Sequence, residues 1–209
     1  MYLKSLFVLF ISIFLISCGS ETKELSKDEN KGETNTTKQV SENETKEKES
    51  SNSDFKLAKI EKVETVSEKN VVPNFTWVSA AGGTGSFEEV KDNVVFLNLW
   101  ATWCGPCIKE MPDLSAISTE LSDKKFMMIG LNVFHQPGTK DVETFLKELP
   151  VSYLVVDGNE EIVQALSKST GTEIDAVPTS YIVKDGKIVE TIVGSRSKAE
   201  FLKMINKYL

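Results

Sequence analysis

Residues 93–114 read NVVFLNLWATWCGPCIKEMPDL, and this stretch indicates both the fold class and the chemistry of the chain. It begins with a near-continuous apolar run at 93–100, which is typical of a strand buried on both faces of a sheet. A helix is predicted to follow from about Cys104 to Leu121. The Cys-Gly-Pro-Cys sequence therefore lies where a buried strand gives way to a helix.

Two cysteines three positions apart become neighbours when the second lies in the first turn of a helix, so Cys104 and Cys107 are placed to close a small disulfide ring. Unpaired amides and the dipole at a helix N-terminus favour a thiolate, and CxxC pairs use them to lower a thiol pKa from ~8.5 to ~3.5–7.5. We expect Cys104 to be the attacking thiolate and Cys107 the resolving thiol. Pro106 has no N–H to lose in the first turn, and Gly105 permits close approach of a partner backbone.

Two other interpretations of the cysteine pair stay open. In the first interpretation, the pair is half of a zinc site, although His135 is the only other soft ligand in the candidate domain. It is an inert structural disulfide in the second, which an exported protein permits, although a ring between near neighbours constrains the unfolded chain little. We expect no metal and no cofactor besides the cysteine pair itself.

Outward from this stretch, strand-like and helical segments alternate. Strands are predicted at 75–78 (as an edge strand), 125–133, 151–156, 179–184 and 187–193, and helices at 141–149, 160–170 and 197–208. Asp185-Gly186 between the last two strands is a strong hairpin signal. The alternation predicts an α/β domain with a mixed central sheet covered by helices on both faces.

The N-terminus carries an export signal. Lys4 precedes an apolar run from Leu6 to Ile16, which is too short to span a membrane but fits the core of a secretory signal peptide. The residues Leu15-Ile16-Ser17-Cys18 resemble the bacterial lipobox, in which the cysteine is lipidated after cleavage. An ordinary signal peptide cut near Ser17 is the alternative. A lipid on Cys18 would anchor the chain to a membrane without a transmembrane helix.

Composition divides the chain into three parts. We predict a signal peptide at 1–17, a lipidated Cys18 followed by a disordered tether to residue 70, and a folded domain at 71–209. Apolar residues at every third position of 55–66 indicate a local helix or an extension that packs on the domain. The 31 acidic and 24 basic side chains give a net charge of −7, which argues against a nucleic-acid partner.

Several of these segments resemble one family. The sequence around the cysteines, with its Trp-Cys-x-x-Cys core and the Lys-Glu-x-Pro stretch ending at Pro112, resembles the TlpA/ResA-like extracytoplasmic thiol–disulfide oxidoreductases. The segment VPTSYIVKDGKIV at 177–189 and Gly194 resemble further landmarks of that family. The resemblance covers roughly 71–209 and implies the thioredoxin fold.

The resemblance also assigns roles to residues near the cysteines. It implies that Pro178 is a cis-proline packed against the disulfide and that Val177 offers a backbone edge to the substrate chain. A trans proline ending the loop is the alternative. Trp103, next to the thiolate, is expected to form part of a docking surface.

The sequence departs from its relatives at the buried acid. Thioredoxin has an aspartate in the central strand beneath the second cysteine, and the matching residue here is Asn98, which cannot accept a proton. Many TlpA/ResA-like members supply a glutamate from the segment before that strand, where this chain has Ser86. Glu88 and Glu89 are therefore candidate proton acceptors for Cys107, and solvated surface charge is the alternative for each.

Together these features predict a membrane-tethered, monomeric thiol–disulfide oxidoreductase of the periplasm or cell envelope that reduces protein disulfides. The resemblance implies apocytochrome c as a substrate class and a membrane electron donor of the DsbD/CcdA type. A disulfide oxidase or isomerase on the same fold and a non-catalytic binding lipoprotein are alternatives. A peroxidase is disfavoured, because Leu97 stands where its Pro-x-x-x-Thr-x-x-Cys pattern requires proline.

Overall fold

The computed structural model describes residues 56–209 of the 209-residue chain. The predicted signal peptide, the predicted lipidated Cys18 and the tether as far as residue 55 lie outside the described residues.

The described residues form one eight-stranded mixed sheet with the order β3-β2-β1-β6-β5-β4-β7-β8. The strands are β1 (Leu57–Val63), β2 (Phe75–Ser79), β3 (Thr84–Ser86), β4 (Val94–Trp100), β5 (Phe126–Asn132), β6 (Leu154–Asp157), β7 (Thr179–Lys184) and β8 (Lys187–Val193). β4 pairs in parallel with β5 and antiparallel with β7, so both of its edges are occupied. This confirms the buried strand that its apolar sequence predicts.

Successive side chains of β4 point to opposite faces of the sheet, as strand geometry requires. All seven β4 residues are buried. Phe96 and Trp100 belong to one hydrophobic cluster, whereas Leu97 and Leu99 belong to a second. The domain therefore has two apolar layers, one on each face of the sheet.

Five helices cover these layers: α1 (Phe87–Val90), α2 (Gly105–Glu120), α3 (Val142–Glu148), α4 (Glu160–Thr170) and α5 (Lys198–Ile205). Helices α2, α3 and α5 bury side chains in the cluster that contains Phe96. Helices α1 and α4 bury side chains in the cluster that contains Leu97. The predicted α/β architecture, with helices on both faces of a mixed sheet, is confirmed. Within the part of the chain described, no helix is both long and apolar enough to cross a bilayer.

The folded domain begins earlier than the composition predicts. β1 lies inside the predicted tether, yet it is an interior strand that pairs with β2 on one side and β6 on the other. Ala58, Ile60 and Val63 contribute to one apolar layer. The pairing register of β1 is irregular between Ile60 and Lys62, which breaks the two-residue alternation of inward-facing side chains. The apolar residues of this segment therefore recur at every third position. The predicted start at residue 71 is corrected accordingly.

The predicted edge strand at 75–78 also has a different place in the sheet. β2 has β1 on one side and β3 on the other, so the edge is formed by β3. β3 is only three residues long and follows a glycine-rich turn, and α1 has four residues. Neither segment is long enough to show a periodic pattern, which is why the sequence does not reveal them.

Candidate active site

Cys104 and Cys107 form a disulfide with an S–S distance of 2.03 Å and a Cα–Cα distance of 5.3 Å. The two residues lie at the carboxyl end of β4, where the chain enters α2. Cys104 is 3% exposed and Cys107 is 1% exposed. Both cysteines are therefore buried in the oxidised protein, and Cys104 is slightly the more exposed of the two.

The N-terminus of α2 is built around Cys104. Cys104 has an extended backbone and is the N-cap residue of the helix, with Gly105 and Pro106 as the first helical positions. The amide N–H of Cys107 donates a hydrogen bond of 3.2 Å to Cys104 Sγ. A free amide and the positive end of a helix dipole both stabilise a thiolate at this sulfur. The geometry is the one expected of an activated thiol.

A cis-proline segment borders the disulfide. The Val177–Pro178 peptide bond is cis, as the family resemblance implies. The carbonyl oxygen of Val177 lies 3.6 Å from Cys104 Sγ. The carbonyl of Pro178 accepts a hydrogen bond of 2.8 Å from the amide of Gly194, which has a φ of +83°. These contacts place the backbone of Val177 directly beside the reactive sulfur.

Trp103 provides an exposed aromatic surface next to the disulfide. Its side chain is 40% exposed. Its indole Nε1–H donates a hydrogen bond of 2.8 Å to the carbonyl of Phe134, and Thr102 Oγ1 donates one of 2.8 Å to the carbonyl of Lys140. The loop after β5 therefore supports the active-site turn from one side. This hydrogen bond fixes the orientation of the Trp103 ring.

His135 lies in the same loop but is engaged elsewhere. Its Nε2 is 2.7 Å from Oδ1 of Asp157, at the end of β6. The imidazole is about half exposed. Among residues 56–209, no group of His, Cys, Asp and Glu is arranged to hold a metal ion.

Glu110 is a buried carboxyl that sequence reasoning missed. It lies on α2 one turn after Cys107, and it is only 3% exposed. Its Oε1 accepts a hydrogen bond of 3.1 Å from Nδ2 of Asn98, which also donates one of 2.9 Å to Ser180 Oγ. Its Oε2 has no hydrogen-bond partner in the described part of the chain. The polar pair therefore joins β4 to the active-site helix below the disulfide.

Burial controls the ionisation of this carboxyl. Loss of hydration raises the pKa of Glu110 above its ordinary value of 4.5, while the hydrogen bond from Asn98 and the nearby positive charge of Arg196 oppose the shift. Burial is the main cause of the raised pKa of Tyr153, and the negative charge of Glu110 contributes to it. A buried carboxyl whose pKa is raised is suited to accept and return a proton.

The structure does not bring Glu88 and Glu89 to this position. Glu88 forms an ion pair with Lys91, and Glu89 accepts a hydrogen bond of 3.3 Å from the amide of Ser86. Both are exposed. Their helix, α1, packs through Phe87 on the apolar layer opposite the one that contains the cysteines. The sheet thus separates these carboxylates from the cysteine layer, and Glu110 is the buried acid on the cysteine side.

A signal for Glu110 was present in the sequence. Positions 107, 110, 111 and 114 share one face of α2, and the other three carry Cys, Met and Leu. A glutamate within an apolar helical stripe is rarely buried unless a specific partner or a function requires it.

Comparison with known proteins matches both the fold and the site. A redoxin family model matches residues 67–205. The thiol-disulfide oxidoreductase ResA of Bacillus cereus is 31% identical over 139 residues, which are 65% of this chain and 75% of that protein. ResA of Bacillus subtilis is 26% identical over 147 residues, 70% of this chain and 76% of that protein. A thiol:disulfide interchange protein of the thioredoxin family from Chlorobium tepidum, solved by crystallography, has a TM-score of 0.59 at 27% identity, covering 69% of this chain and 99% of that chain.

The matched residues 67–205 include both cysteines, the cis-proline segment and every strand from β2 to β8. The similarity therefore extends over the scaffold and the reactive groups together, and the predicted thioredoxin fold is confirmed. The chain belongs to the redoxin family and is a thiol–disulfide oxidoreductase of the ResA type.

Proposed function

We propose that the protein is a membrane-tethered, extracytoplasmic oxidoreductase that reduces disulfides in proteins of the cell envelope. One observation carries the catalytic part: Cys104 Sγ accepts the amide N–H of Cys107 at the start of α2 and lies 3.6 Å from the carbonyl of Val177. This places an activated sulfur next to backbone that a substrate chain can pair with.

The reaction is a two-electron thiol–disulfide exchange. In the reduced enzyme, the Cys104 thiolate attacks one sulfur of the substrate disulfide, and the other substrate sulfur leaves as a thiolate that takes a proton from water. Cys107 then gives its proton to a base and attacks Cys104 Sγ, which releases the second substrate sulfur as a thiolate that also takes a proton from water. The enzyme ends as the Cys104–Cys107 disulfide, and the substrate ends with two thiols.

Glu110 is the group we propose as acceptor of the Cys107 proton. It follows Cys107 by one turn on the inward face of the same helix, and burial raises its pKa. Asn98 holds one carboxylate oxygen through its amide and has no site for a proton itself.

The dipeptide between the cysteines supports the proposed direction of electron flow. Gly-Pro is the thioredoxin dipeptide, and thioredoxin has a potential near ~−270 mV, whereas the strong oxidant DsbA lies near ~−120 mV. A reductase in an oxidising compartment needs a membrane electron donor, for which we propose a protein of the DsbD/CcdA type. Equilibration with glutathione buffers measures the potential, and a value near the DsbA figure would favour the oxidase or isomerase alternative.

The leader sequence supports the proposed site of action. An apolar run that ends at Leu15-Ile16-Ser17-Cys18 supports export and lipidation of Cys18. We expect the full chain to fractionate with membranes and a Cys18→Ala chain to lose that association. Recovery of the variant in the membrane fraction at the wild-type level would contradict the anchor.

Substrates are identified by trapping. A Cys107→Ser variant retains the attacking sulfur but cannot resolve the mixed disulfide, so its partners stay attached and are identified by mass spectrometry. The matched control is the Cys104→Ser/Cys107→Ser chain, which has no sulfur at the site. Apocytochromes c among the trapped proteins would support the narrower substrate class. A binding lipoprotein without catalysis would trap no partner in either variant.

A further inference from the structure

A cavity of about 230 Å³ lies next to the Val177–Pro178 segment, on the face of the sheet that α4 covers. Ala176 and Thr179, the residues on either side of that segment, both line the cavity. Because the carbonyl oxygen of Val177 lies 3.6 Å from Cys104 Sγ, the cavity begins within one residue of the backbone that borders the reactive sulfur. We call it the acidic cavity, for the reason that follows.

Two carboxylates line this cavity without a partner. Glu173 and Asp175 are exposed lining residues, and neither forms an ion pair with any residue of 56–209. Lys69, whose side chain passes Gly171, is also not paired with them. The guanidinium of Arg196 donates to the carbonyls of the chain just after β8 instead. Neither carboxylate is therefore held in a salt bridge within residues 56–209.

A tyrosine hydroxyl and an apolar edge complete the cavity. Tyr181 lines it and is only 2% exposed, and its side chain forms no hydrogen bond with the rest of the described chain. Burial raises the pKa of Tyr181 to about 12, so the hydroxyl stays protonated at neutral pH. Val193, a lining residue that pairs with Thr179 in the sheet, is 60% exposed. The cavity thus offers carboxylate and hydroxyl acceptors beside an apolar surface.

We propose that the acidic cavity is a substrate subsite that receives a lysine or arginine side chain from the polypeptide whose disulfide is reduced at Cys104. The proposal rests on the proposed function and adds a preference for basic neighbours of the attacked cysteine. An extended chain advances ~3.3 Å per residue. A substrate strand that pairs along Val177 therefore brings side chains two or three residues from its cysteine over the cavity.

The chemistry of the cavity fits a long basic side chain better than other groups. Lysine and arginine have only donors at their charged ends, and these match the carboxylates and the hydroxyl of Tyr181. Their aliphatic stems pack well on an apolar surface such as Val193. An acidic side chain would instead meet two like charges, and the net charge of −7 favours approach of basic substrates.

Single-turnover reduction of disulfide peptides tests the proposal. The pre-reduced full chain is mixed with peptides that carry Arg, Ala or Glu two or three residues before or after the attacked cysteine. We expect the Arg peptide to react about fivefold faster than the Ala peptide at one of these positions, the factor expected of a part-exposed ion pair. The ratio should fall towards one in ~1 M salt, where the screening length is ~3 Å.

Variants of the two cavity carboxylates test whether the preference for basic peptides arises at the cavity or from the overall negative charge of the protein. In Glu173→Gln/Asp175→Asn the Arg preference should disappear, and in Glu173→Lys/Asp175→Lys it should invert in favour of the Glu peptide, which misfolding cannot imitate. The matched control is Glu61→Gln/Asp123→Asn, two exposed acids distant from the cavity, which should retain the preference. Equal rates for all peptides, or loss of preference in the control alone, would overturn the subsite. Failure of the wild type to reduce any peptide would overturn the proposed function itself.

Discussion

Asn98 Nδ2 donates a hydrogen bond of 3.1 Å to Oε1 of Glu110, and this bond joins the strand before the active site to the helix that carries it. Both residues are buried, at 1% and 3% exposure. Where thioredoxin has an ionisable aspartate in the strand, this chain has an amide, and its buried acid lies on the helix. The hydrogen bond keeps that acid oriented towards the interior on the cysteine side of the sheet.

Replacement of the buried acid should slow the second chemical step. In Glu110→Gln the amide can still accept from Asn98 but cannot take a proton from Cys107. We expect resolution of a mixed disulfide at neutral pH to slow on the order of 10²-fold, the usual contribution of a positioned acid–base group. Stopped-flow release of the substrate thiol measures the step.

The matched control for this substitution is Glu88→Gln, which removes the carboxylate that the sequence alone suggested. Glu88 is exposed and its helix packs on the other face of the sheet, so we expect resolution at the wild-type rate. A large loss in Glu88→Gln, with Glu110→Gln unaffected, would reverse the assignment.

The stability of the oxidised protein should depend on pH through Glu110. Burial raises the pKa of this carboxyl, so the folded state binds the proton more tightly than the unfolded chain does. The free energy of unfolding therefore falls as pH rises from the ordinary value of 4.5 through the raised value in the fold, by ~1.4 kcal/mol per unit of difference. We expect the free energy of unfolding of Glu110→Gln not to show this decline, because an amide does not titrate in this range.

Guanidinium unfolding of both proteins between about pH 4 and about pH 8 isolates that contribution, because the other titrating groups cancel in the comparison. The advantage of Glu110→Gln over the wild type should grow with pH. A difference that is flat across the range would mean that the carboxyl is not perturbed.

Two substitutions of Trp103 test whether its exposed ring contacts the substrate. In Trp103→Phe the aromatic surface remains but the hydrogen bond to the Phe134 carbonyl is lost, and we expect kcat/KM for a protein substrate to change by about threefold or less. In Trp103→Ala the exposed ring is lost, and we expect a decrease of about tenfold, because aromatic anchors dominate binding energies at interfaces. Equal effects of the two substitutions would show that the ring does not contact substrate.

Substitution of Leu57 tests whether β1 is part of the folded domain. It is 3% exposed in β1 and packs in the layer that contains the cysteines. We expect Leu57→Ala to lower the free energy of unfolding by about 2–4 kcal/mol, as for other buried leucines. The neighbouring Lys59 is exposed, and Lys59→Ala should cost less than about 0.5 kcal/mol. Equal stability of the two variants would place β1 outside the cooperative unit.

Long periodic segments could be predicted from the sequence, and irregular ones could not. Six of the seven β4 residues are apolar and α4 ends at Gly171, so both elements are evident before the structure is known. β1 was misread because its register irregularity converts a strand alternation into a spacing of three. The pattern of apolar residues in a short segment indicates which residues face inward, but it does not indicate where the pairing register of the strand shifts.

The site was predicted in part for a similar reason. Cys104 and Cys107 are three positions apart at the start of a helix, which brings their sulfurs close together. The reactive pair could therefore be predicted from this spacing. The proton acceptor depends on which face of the sheet each element covers, and the sequence does not specify that Glu88 and Glu110 lie on opposite sides. The acidic cavity combines residues from the loop after α4 with β7 and β8, which only the folded structure brings together.

The central claim is that Cys104 is held as an accessible thiolate at the start of α2, and alkylation of the reduced protein as a function of pH tests it most directly. We expect iodoacetamide to modify Cys104 first, with an apparent pKa below the ~8.5 of a free thiol, and Cys107 to react slowly or not at all. A Cys104 that titrates at or above the free-thiol value, or a Cys107 that reacts first, would contradict the account.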